Sequence, residues 1–403
     1  MLSFEEAREK VIATVRDLRG PLATETVELS RTCGRVLAET IAADRDYPPF
    51  DRSIRDGFAM RADDAVAGAT LRCIGEIKAG SGFDGTVGPG ECVQIMTGAA
   101  VPAGADAVVM IEHVSIDGQR VMLSRPAARG QSIVARGKEA RAGQQLLAPG
   151  TRLGYAEMAL AGQVGKHRIE VFRRPRASIL STGDEVVEVS ATPGPLQVRN
   201  GNSVALETLS RLAGAESESL GNAPDEKKEL RRRIERGLEA NLLIISGGVS
   251  MGKYDLVEMV LGELGTKFIY DSVAIRPGRP AVFGVCQGKP VFGLPGNPVS
   301  TMVTFELFVA PAIDALSGAE PRPLPIFRAR LAHAVQERSE LTHFLPARVQ
   351  MVRGEPEVSA LPWQGSGDVV TMAESNAFLI VRPEKLNWEA GEMAAVLPRR
   401  GFL

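Results

Sequence analysis

Three short turns containing glycine follow three apolar runs, and they constrain the fold more than any other feature. They are Ser181–Glu185, Ser246–Ser250 and Leu294–Pro298. Each precedes a segment with helical periodicity or a helix start signal, and this succession predicts an open α/β sheet with a site at the carboxyl ends of its strands. Glycine admits a ligand close to the backbone, and helix N-termini offer free N–H groups to an anion. The turns therefore predict a phosphate-bearing ligand, together with a divalent cation.

Composition limits the classes of protein and partner. A chain of 403 residues is too long for one compact core, so several domains are expected. A net charge of −2 and an aromatic content of 5% give nucleic acid no support as a partner. No apolar run of membrane-spanning length is expected, and the acidic start Met1–Glu6 is unlike a signal peptide, so we predict a cytoplasmic protein without a membrane partner. Four scattered cysteines without a Cys-x-x-Cys pair predict reduced thiols rather than a metal site.

Changes of pattern along the chain predict its domains. Residues 3–18 have the periodicity of an amphipathic helix, with Ser3 and Glu6 as a capping box. Residues 70–135 contain short apolar runs separated by turn residues, which is typical of a small β-rich module. The predicted division is an N-terminal helical and linking domain (1–46 and 141–171), an inserted β-rich module (47–140), an α/β domain (172–320) and a C-terminal β domain (326–403).

The predicted fold class is α/β plus β. We expect an elongated multidomain chain with a three-layer α/β domain around a parallel-type sheet. The inserted β-rich module and a small barrel-like C-terminal domain complete it. The proline-rich segment Pro321–Pro325 reads as the linker before the C-terminal domain.

Acidic residues lie just past three predicted strand ends. Glu185, Asp225 and Asp255 could therefore converge at one edge of the sheet. Mg²⁺ is bound by one or two carboxylates together with substrate phosphate oxygens, which such convergence provides. The alternative is that Asp184, Asp225 and Asp255 are helix N-caps or first-turn acids, the commoner role for any one acid taken alone.

Two further turns carry candidate anion-binding groups. Arg276 and Arg279 stand on a proline-rich turn, and a guanidinium is a good bidentate partner for phosphate or another oxyanion. The alternative for both is ordinary surface arginine. Asn297 and Pro298 form a helix start that needs no function, although Pro295 and Gly296 stiffen the turn before it. No P-loop lysine motif or Gly-x-Ser-x-Gly elbow is present, which argues against a common NTPase or an α/β hydrolase.

Seven segments, taken in order, resemble the molybdopterin molybdenumtransferase family, which includes MoeA and the E domain of gephyrin. The resemblance covers nearly the whole chain. The segments are Ser53–Ala59, Met96–Ala99, Ser181–Glu185, Ser246–Ser250, Pro277–Pro280, Leu294–Ser300 and Gln364–Ser366.

The resemblance implies a homodimer that inserts molybdate into the dithiolene of adenylylated molybdopterin and releases AMP. The divalent cation would be Mg²⁺, with Zn²⁺ as an alternative. The family's site lies between the α/β domain of one subunit and the inserted and C-terminal parts of the other. Molybdopterin adenylyltransferase and the enzymes that receive the cofactor are the implied partners.

Residues of the expected site follow from these motifs and their family positions. Catalytic roles fall to Glu185, Asp225, Asp255, Asp56 and Thr97, of which the first three are also the expected metal ligands. The expected substrate-binding residues are Ser181, Thr182, Gly183, Gly247, Gly248, Ser250, Arg276, Arg279, Pro295, Gly296, Asn297, Pro298, Arg348 and Ser366.

Some positions depart from the family pattern. Arg55 stands where the family usually has Met, and Arg276 and Arg279 stand where it usually has lysines. Ala140 stands where it has a carboxylate, with Glu139 next to it as a candidate substitute. Two other functions are therefore considered: a non-catalytic cofactor carrier or scaffold of the same fold, and a nucleotide pyrophosphatase resembling the CinA family. The inserted module and the C-terminal domain disfavour the second.

Overall fold

The N-terminal part begins with the predicted amphipathic helix. The computed structural model describes residues 1–248 and 256–401. In the first helix, Ser3 and Glu6 form the expected capping box. Its buried side chains join the core of the α/β domain rather than lying at the periphery. The first elements are α1 (Phe4–Leu18), β1 (Thr24–Glu28), a 3-10 turn (Leu29–Arg31) and β2 (Ile41–Ala42).

A six-stranded sheet forms the inserted module. Its elements are β3 (Arg52–Ser53), β4 (Gly57–Met60), a 3-10 turn (Ala62–Asp64), β5 (Thr70–Ile77), β6 (Glu91–Ile95), β7 (Ala107–Met110), a second such turn (Ile111–His113), β8 (Val114–Asp117), β9 (Arg120–Leu123) and β10 (Ile133–Val134). The strand order in the sheet is β7-β4-β6-β5-β9-β8, and β3 pairs with β10. Gly57 is required because a Cβ there would lie 2.0 Å from the Val109 carbonyl oxygen.

After the module the chain returns to the N-terminal strands. The returning elements are β11 (Gln145–Leu147), α2 (Tyr155–Gln163) and β12 (Arg168–Phe172). Strand β11 pairs with β2 and β12 pairs with β1, both antiparallel. The module is thus an insertion between two segments that pair with each other.

The α/β domain follows, and its elements are β13 (Arg176–Thr182), β14 (Val186–Val187), β15 (Val198–Arg199), α3 (Gly201–Ala213), β16 (Glu216–Ala223), α4 (Lys227–Gly237), β17 (Leu242–Ser246), α5 (Leu256–Glu263), β18 (Lys267–Tyr270), β19 (Ile275–Arg276), β20 (Val282–Cys286), β21 (Lys289–Leu294), α6 (Pro298–Thr304), a π-helical turn (Phe305–Val309) and α7 (Ala310–Leu316). The sheet order is β16-β13-β17-β21-β20-β18. The first four strands are parallel, whereas β20 is antiparallel to both of its neighbours, β21 and β18. The sheet is therefore mixed rather than wholly parallel.

Strand β17 shows why the domain has three layers. All five of its residues are buried. Leu242 and Ile244 join one hydrophobic cluster, whereas Leu243 and Ile245 join another. Since successive side chains of a strand point to opposite faces, both faces of the sheet are covered.

No apolar run of membrane-spanning length is expected from the sequence, and the segment Pro298–Leu316 corrects that expectation. Its 19 residues have a mean hydropathy of 1.5, so by length and composition alone the segment could cross a membrane. However, 89% of this stretch is buried inside the structure. It is a core helix of the α/β domain, packed beneath the sheet.

The C-terminal domain is a closed five-stranded barrel. Its elements are β22 (Phe327–Leu331), β23 (Val335–Gln336), β24 (Thr342–Val352), β25 (Glu355–Ala360), α8 (Val369–Glu374), β26 (Ala377–Val381), β27 (Asn387–Trp388) and β28 (Met393–Pro398). The barrel order is β24-β25-β22-β28-β26, and β26 closes it by pairing with β24. Strand β19 also pairs with β24 and so attaches the α/β domain to the barrel. The predicted fold class, an α/β domain with an inserted β module and a C-terminal barrel, is confirmed.

A buried carboxylate connects three separate parts of the chain. Asp314 on α7 is 2% exposed and pairs with Arg152, which precedes α2, at 2.8 Å. It also pairs with Arg322 of the proline-rich linker at 2.7 Å. A buried charge of this kind is costly without its partners, so each arginine is needed where it lies.

Replacing Asp314 tests this connection. Asp314→Ala removes the charge that both arginines share and should lower the free energy of unfolding by about 3 kcal/mol. The control Glu235→Ala removes an exposed pair with Arg231 and should change stability by less than about 0.5 kcal/mol. Urea denaturation followed by circular dichroism measures both, and equal effects of the two substitutions would contradict the role assigned to Asp314.

Candidate ligand site at the carboxyl edge of the sheet

The register of four parallel strands brings the predicted turns together. Ser181 at the end of β13 is opposite Ser246 of β17, which in turn is opposite Leu294 of β21. On the other side of β13, Thr182 is opposite Ala223 of β16. The turns that follow these strands therefore meet at one edge, as the sequence predicted.

Asn202 joins three of the chain segments that meet there. Its Nδ2 group donates to Ser246 Oγ at 3.0 Å and to the Gly296 carbonyl at 2.7 Å. It also lies 3.4 Å from Thr301 Oγ1 on α6. Asn202 is not among the site residues predicted from the sequence. An Asn two positions after the N-cap of α3, beside two glycine-rich turns, is the signal that could have identified it.

Close contacts with Thr182 explain the two glycines of the second turn. A Cβ at Gly247 would lie 2.8 Å from the Thr182 carbonyl oxygen, and one at Gly248 would lie 2.8 Å from Thr182 Oγ1. Both glycines have positive φ angles, of 92° and 62°. The Gly247 N–H donates to the Leu294 carbonyl at 3.0 Å, which fixes the second turn against the third. Thr182 is 5% exposed, and its hydroxyl has no hydrogen-bond partner among the described residues.

Ser181 has a structural role in the same region. Its hydroxyl donates to Asn200 Oδ1 at 3.0 Å and lies 2.9 Å from Ser203 Oγ. Asn200 is the N-cap of α3 and also accepts from the Ser203 N–H. The side chain of Ser181 therefore holds the helix start, while its backbone continues into the first turn.

Three carboxylates gather beside the first turn. The Asp225 N–H donates to Asp184 Oδ1 at 3.0 Å, and a Cβ at Gly183 would lie 2.6 Å from Glu185 Oε2. Burial, with the negative charges of Asp184 and Glu185, raises the pKa of Asp225. Asn222 supports the turn by donating to the Gly183 carbonyl at 2.8 Å.

This acidic group differs from a set of helix caps. The N-cap position of α4 is Glu226, which makes no side-chain capping bond, so Asp225 is not a cap. Within residues 1–248 and 256–401, no group of three His, Cys, Asp or Glu side chains is arranged to hold a metal ion. The predicted residues Ser250 and Asp255 lie outside the described residues. Two neighbouring carboxylates are nevertheless ligands of the kind that Mg²⁺ binds together with phosphate oxygens.

The third turn contacts the C-terminal domain. Asn297 holds the N-cap position of α6 and Pro298 its first turn, but the Asn297 side chain makes no capping bond. It donates instead to Ser366 Oγ at 2.9 Å, and the Val299 N–H donates to the Ser366 carbonyl at 3.0 Å. Predicted residues Pro295, Gly296, Asn297, Pro298 and Ser366 are therefore brought together within one chain.

The predicted arginines are dispersed. Arg276 and Arg279 are exposed on the loop around β19, and Gly278 between them packs against Thr304 of α6. Burial of His343, together with the charge of Arg276, lowers the pKa of His343 against the opposing effect of Glu337.

Arg348 is engaged elsewhere. Its guanidinium donates to the Glu374 carbonyl at the end of α8, at 2.7 Å. This bond joins it to α8 rather than to the other predicted site residues.

Asp56 and Thr97 form a separate pair in the inserted module. The Thr97 N–H donates to Asp56 Oδ1 at 2.6 Å. This bond, with a second from the Thr97 side chain, lowers the pKa of Asp56. Both residues are exposed. Nearby, Glu139 pairs with Arg52 at 2.8 Å, while Ala140 is buried in the N-terminal core.

Asn202→Ala tests whether this one amide fixes the edge. Loss of its bonds should lower the free energy of unfolding by about 1–3 kcal/mol and speed hydrogen exchange at the Gly247 amide. The matched control is Asn241→Ala at the opposite edge of the sheet, where Asn241 Oδ1 accepts from the Arg176 N–H at 2.8 Å. The control should leave Gly247 exchange unchanged. Unaltered Gly247 exchange in Asn202→Ala would show that the turns are held by other contacts.

Comparisons with known protein families agree with this architecture. The family model for the MoeA N-terminal region (domain I and II) matches residues 2–165. A probable molybdopterin binding domain matches residues 178–315, and the MoeA C-terminal region (domain IV) matches residues 328–398. The three matches follow one another in order and span most of the chain.

Individual relatives align over nearly the full length. The molybdopterin molybdenumtransferase of Haemophilus influenzae is 33% identical over 406 residues, covering 99% of this chain and 98% of that protein. That of Bacillus subtilis is 34% identical over 384 residues, covering 93% of this chain and 89% of that protein. The crystal structure of the molybdopterin biosynthesis MoeA protein from Pyrococcus horikosii matches with a TM-score of 0.75 and 32% identity, covering 100% of both chains.

The resemblance carried by the seven sequence segments is thereby confirmed. Sequence identity above 30% extends from the first helix to the barrel, and the same architecture recurs in a solved relative. The chain belongs to the molybdopterin molybdenumtransferase (MoeA) family.

Proposed function

We propose that this protein inserts molybdate into the dithiolene of adenylylated molybdopterin and releases AMP. The observation that carries the proposal is the meeting of three glycine-rich turns at one edge of the sheet, two of them joined by Asn202, beside the carboxylates Glu185 and Asp225. A ligand bearing phosphate and an adjacent cation suits such an edge. Membership of the family supplies the identity of the ligand.

The reaction requires positioning more than covalent catalysis. Two dithiolene sulfurs replace oxygens of molybdate, and the phosphoanhydride that joins the pterin to AMP is broken. Both reactants are anions, so the protein must bring them together and compensate their charge. Arg276 and Arg279 are exposed guanidinium groups suited to molybdate or phosphate. Gly247 and Gly248 let the second turn pack tightly against Thr182, which fixes its position at the edge.

A divalent cation would be held by Glu185 and Asp225, with Asp255 as the further expected ligand. We propose Mg²⁺, with Zn²⁺ as the alternative, because oxygen ligands of this kind are those that Mg²⁺ prefers. When bound, the cation would polarise the bridging phosphate. Without a cation the two carboxylates repel each other, which is one reason that the pKa of Asp225 is raised.

The module pair Asp56 and Thr97 is assigned to the same reaction. The Thr97 N–H donates to the Asp56 carboxylate, and the Asp56 carbonyl accepts from the Ile111 N–H of the same module. We propose that the protein is a homodimer in which the module of one subunit completes the site of the other, with Thr97 orienting the ligand. The proposed location is the cytoplasm. The proposed partners are the adenylyltransferase that supplies the substrate and the enzymes that receive the cofactor.

The first test measures AMP release and cofactor formation together. Purified protein is incubated with adenylylated molybdopterin, Mg²⁺ and molybdate, and the product is used to reconstitute a molybdenum apoenzyme. Glu185→Gln should reduce molybdate-dependent AMP release by about 10²–10³-fold, because it removes a charged group placed at the reacting phosphate. Glu235→Gln, an exposed position on α4, is the control and should retain full activity.

Other outcomes separate the alternatives. Tight ligand binding without AMP release would overturn the proposal in favour of a carrier or scaffold. AMP release that is independent of molybdate, with hydrolysis of simple dinucleotides, would favour a pyrophosphatase.

A mixed-dimer experiment tests the shared site. Asp56→Ala and Glu185→Gln are co-expressed with different affinity tags, and the heterodimer is isolated by two purification steps. If each site takes Asp56 and Glu185 from different subunits, one site of the heterodimer is intact and about half of the wild-type activity should return. Each variant alone should be nearly inactive. A heterodimer as inactive as its parents would mean that both residues act within one subunit.

A further inference from the structure

Two cysteines of the inserted module are direct neighbours in its sheet. Cys73 of β5 is paired in register with Cys92 of β6, and the two strands are parallel. The preceding register pair, Arg72 and Glu91, forms an ion pair. Since side chains alternate along a strand, the two thiols share the face opposite to that ion pair. Both cysteines accordingly belong to the same hydrophobic cluster, Cys92 within it and Cys73 packed against it.

The spacing of such a pair suits a disulfide. Adjacent strands lie about 4.7–4.9 Å apart, within the Cα separation of about 4.4–6.8 Å that disulfides span. The register of β5 and β6 shifts between Cys73 and Glu76, so the regular ladder is interrupted immediately after Cys73. An interruption of this kind lets the backbone adjust locally.

The two thiols differ in access. Cys73 is half-buried and its Sγ lies 3.3 Å from the Gly75 carbonyl oxygen, whereas Cys92 is fully buried. Burial, together with the neighbouring Cys73, raises the pKa of Cys92 to about 12. An oxidant therefore reaches Cys73 first, and Cys92 is protected from direct oxidation.

We propose that Cys73 and Cys92 are an oxidation site that forms a reversible disulfide between β5 and β6. The oxidant is a hydroperoxide. The Cys73 sulfur attacks the peroxide oxygen, the O–O bond breaks, and sulfenic acid and one water form when the oxidant is hydrogen peroxide. The Cys92 sulfur then attacks the Cys73 sulfur and expels the hydroxyl group, which leaves as a second water with the Cys92 proton. Both sulfurs are oxidised and the peroxide is reduced.

The bond would constrain the strand that leads to the proposed site. Strand β6 ends at Ile95, two residues before Thr97, and it also pairs with β4, which follows Asp56. A cross-link between β5 and β6 closes the loop between them and restricts the unfolded state of the module. The oxidised protein should therefore unfold at a higher temperature than the reduced protein, by several degrees.

The test compares hydrogen peroxide with no oxidant on the full-length protein, followed by alkylation of free thiols under denaturing conditions and peptide mass spectrometry. Cys33 is exposed, so a Cys33→Ser background is used to remove its thiol from the analysis. We expect a peptide pair linked through Cys73 and Cys92, reversed by dithiothreitol. Cys286, which is buried elsewhere, should remain free and serves as the internal control.

Two results would overturn the proposal. One is oxidation of Cys73 to sulfinic acid with Cys92 still free, which would mean that the second thiol cannot reach the first. The other is loss of the Cys92 thiol at the same rate in Cys73→Ser, which would show that Cys92 reacts alone. The peptide analysis needs no substitution at Cys73 or Cys92, so it stays decisive even if Cys73→Ser folds poorly. None of these readouts depends on molybdate chemistry.

Discussion

The register of β16, β13, β17 and β21 is the constraint on which the candidate site depends. Thr182 opposite Ala223, Ser181 opposite Ser246 and Ser246 opposite Leu294 make four strands end at one line. A shift of one residue in any strand would turn its side chains to the other face and carry its turn away from the others. The two hydrophobic clusters on the faces of the sheet make such a shift unfavourable.

Polar contacts then fix the turns that the strand register brings to one edge of the sheet. Asn202 reaches the end of β17, the third turn and α6 with one amide group, so the turns are held at fixed distances before any ligand binds. Asn297 gives up its capping role and binds Ser366 of the C-terminal domain. These contacts use groups that a helix start leaves free, and they link the α/β domain to the barrel at the edge where the ligand is proposed.

The carboxylates beside the first turn repel one another, and this repulsion points to a role in cation binding. Partial desolvation of Asp225 raises its pKa, and the nearby charges of Asp184 and Glu185 raise it further. A fold selected for stability alone has no reason to gather like charges at a strand end. A bound cation would remove the repulsion and would give anionic substrates a positive charge at this edge.

The sequence alone determined the fold class, the three turns and the family, because strand–turn–helix succession and glycine positions are local signals with local causes. It also predicted α1 with its capping box, since capping depends on neighbours in the chain. Tertiary structure decided what depends on distant partners. It made the sheet mixed, buried the apolar segment Pro298–Leu316, assigned Asn202 its role, and engaged Arg348 with α8. It also set Cys73 beside Cys92. A hydrogen bond or a strand pairing joins residues that are far apart in the chain. The local pattern of the sequence therefore does not predict it.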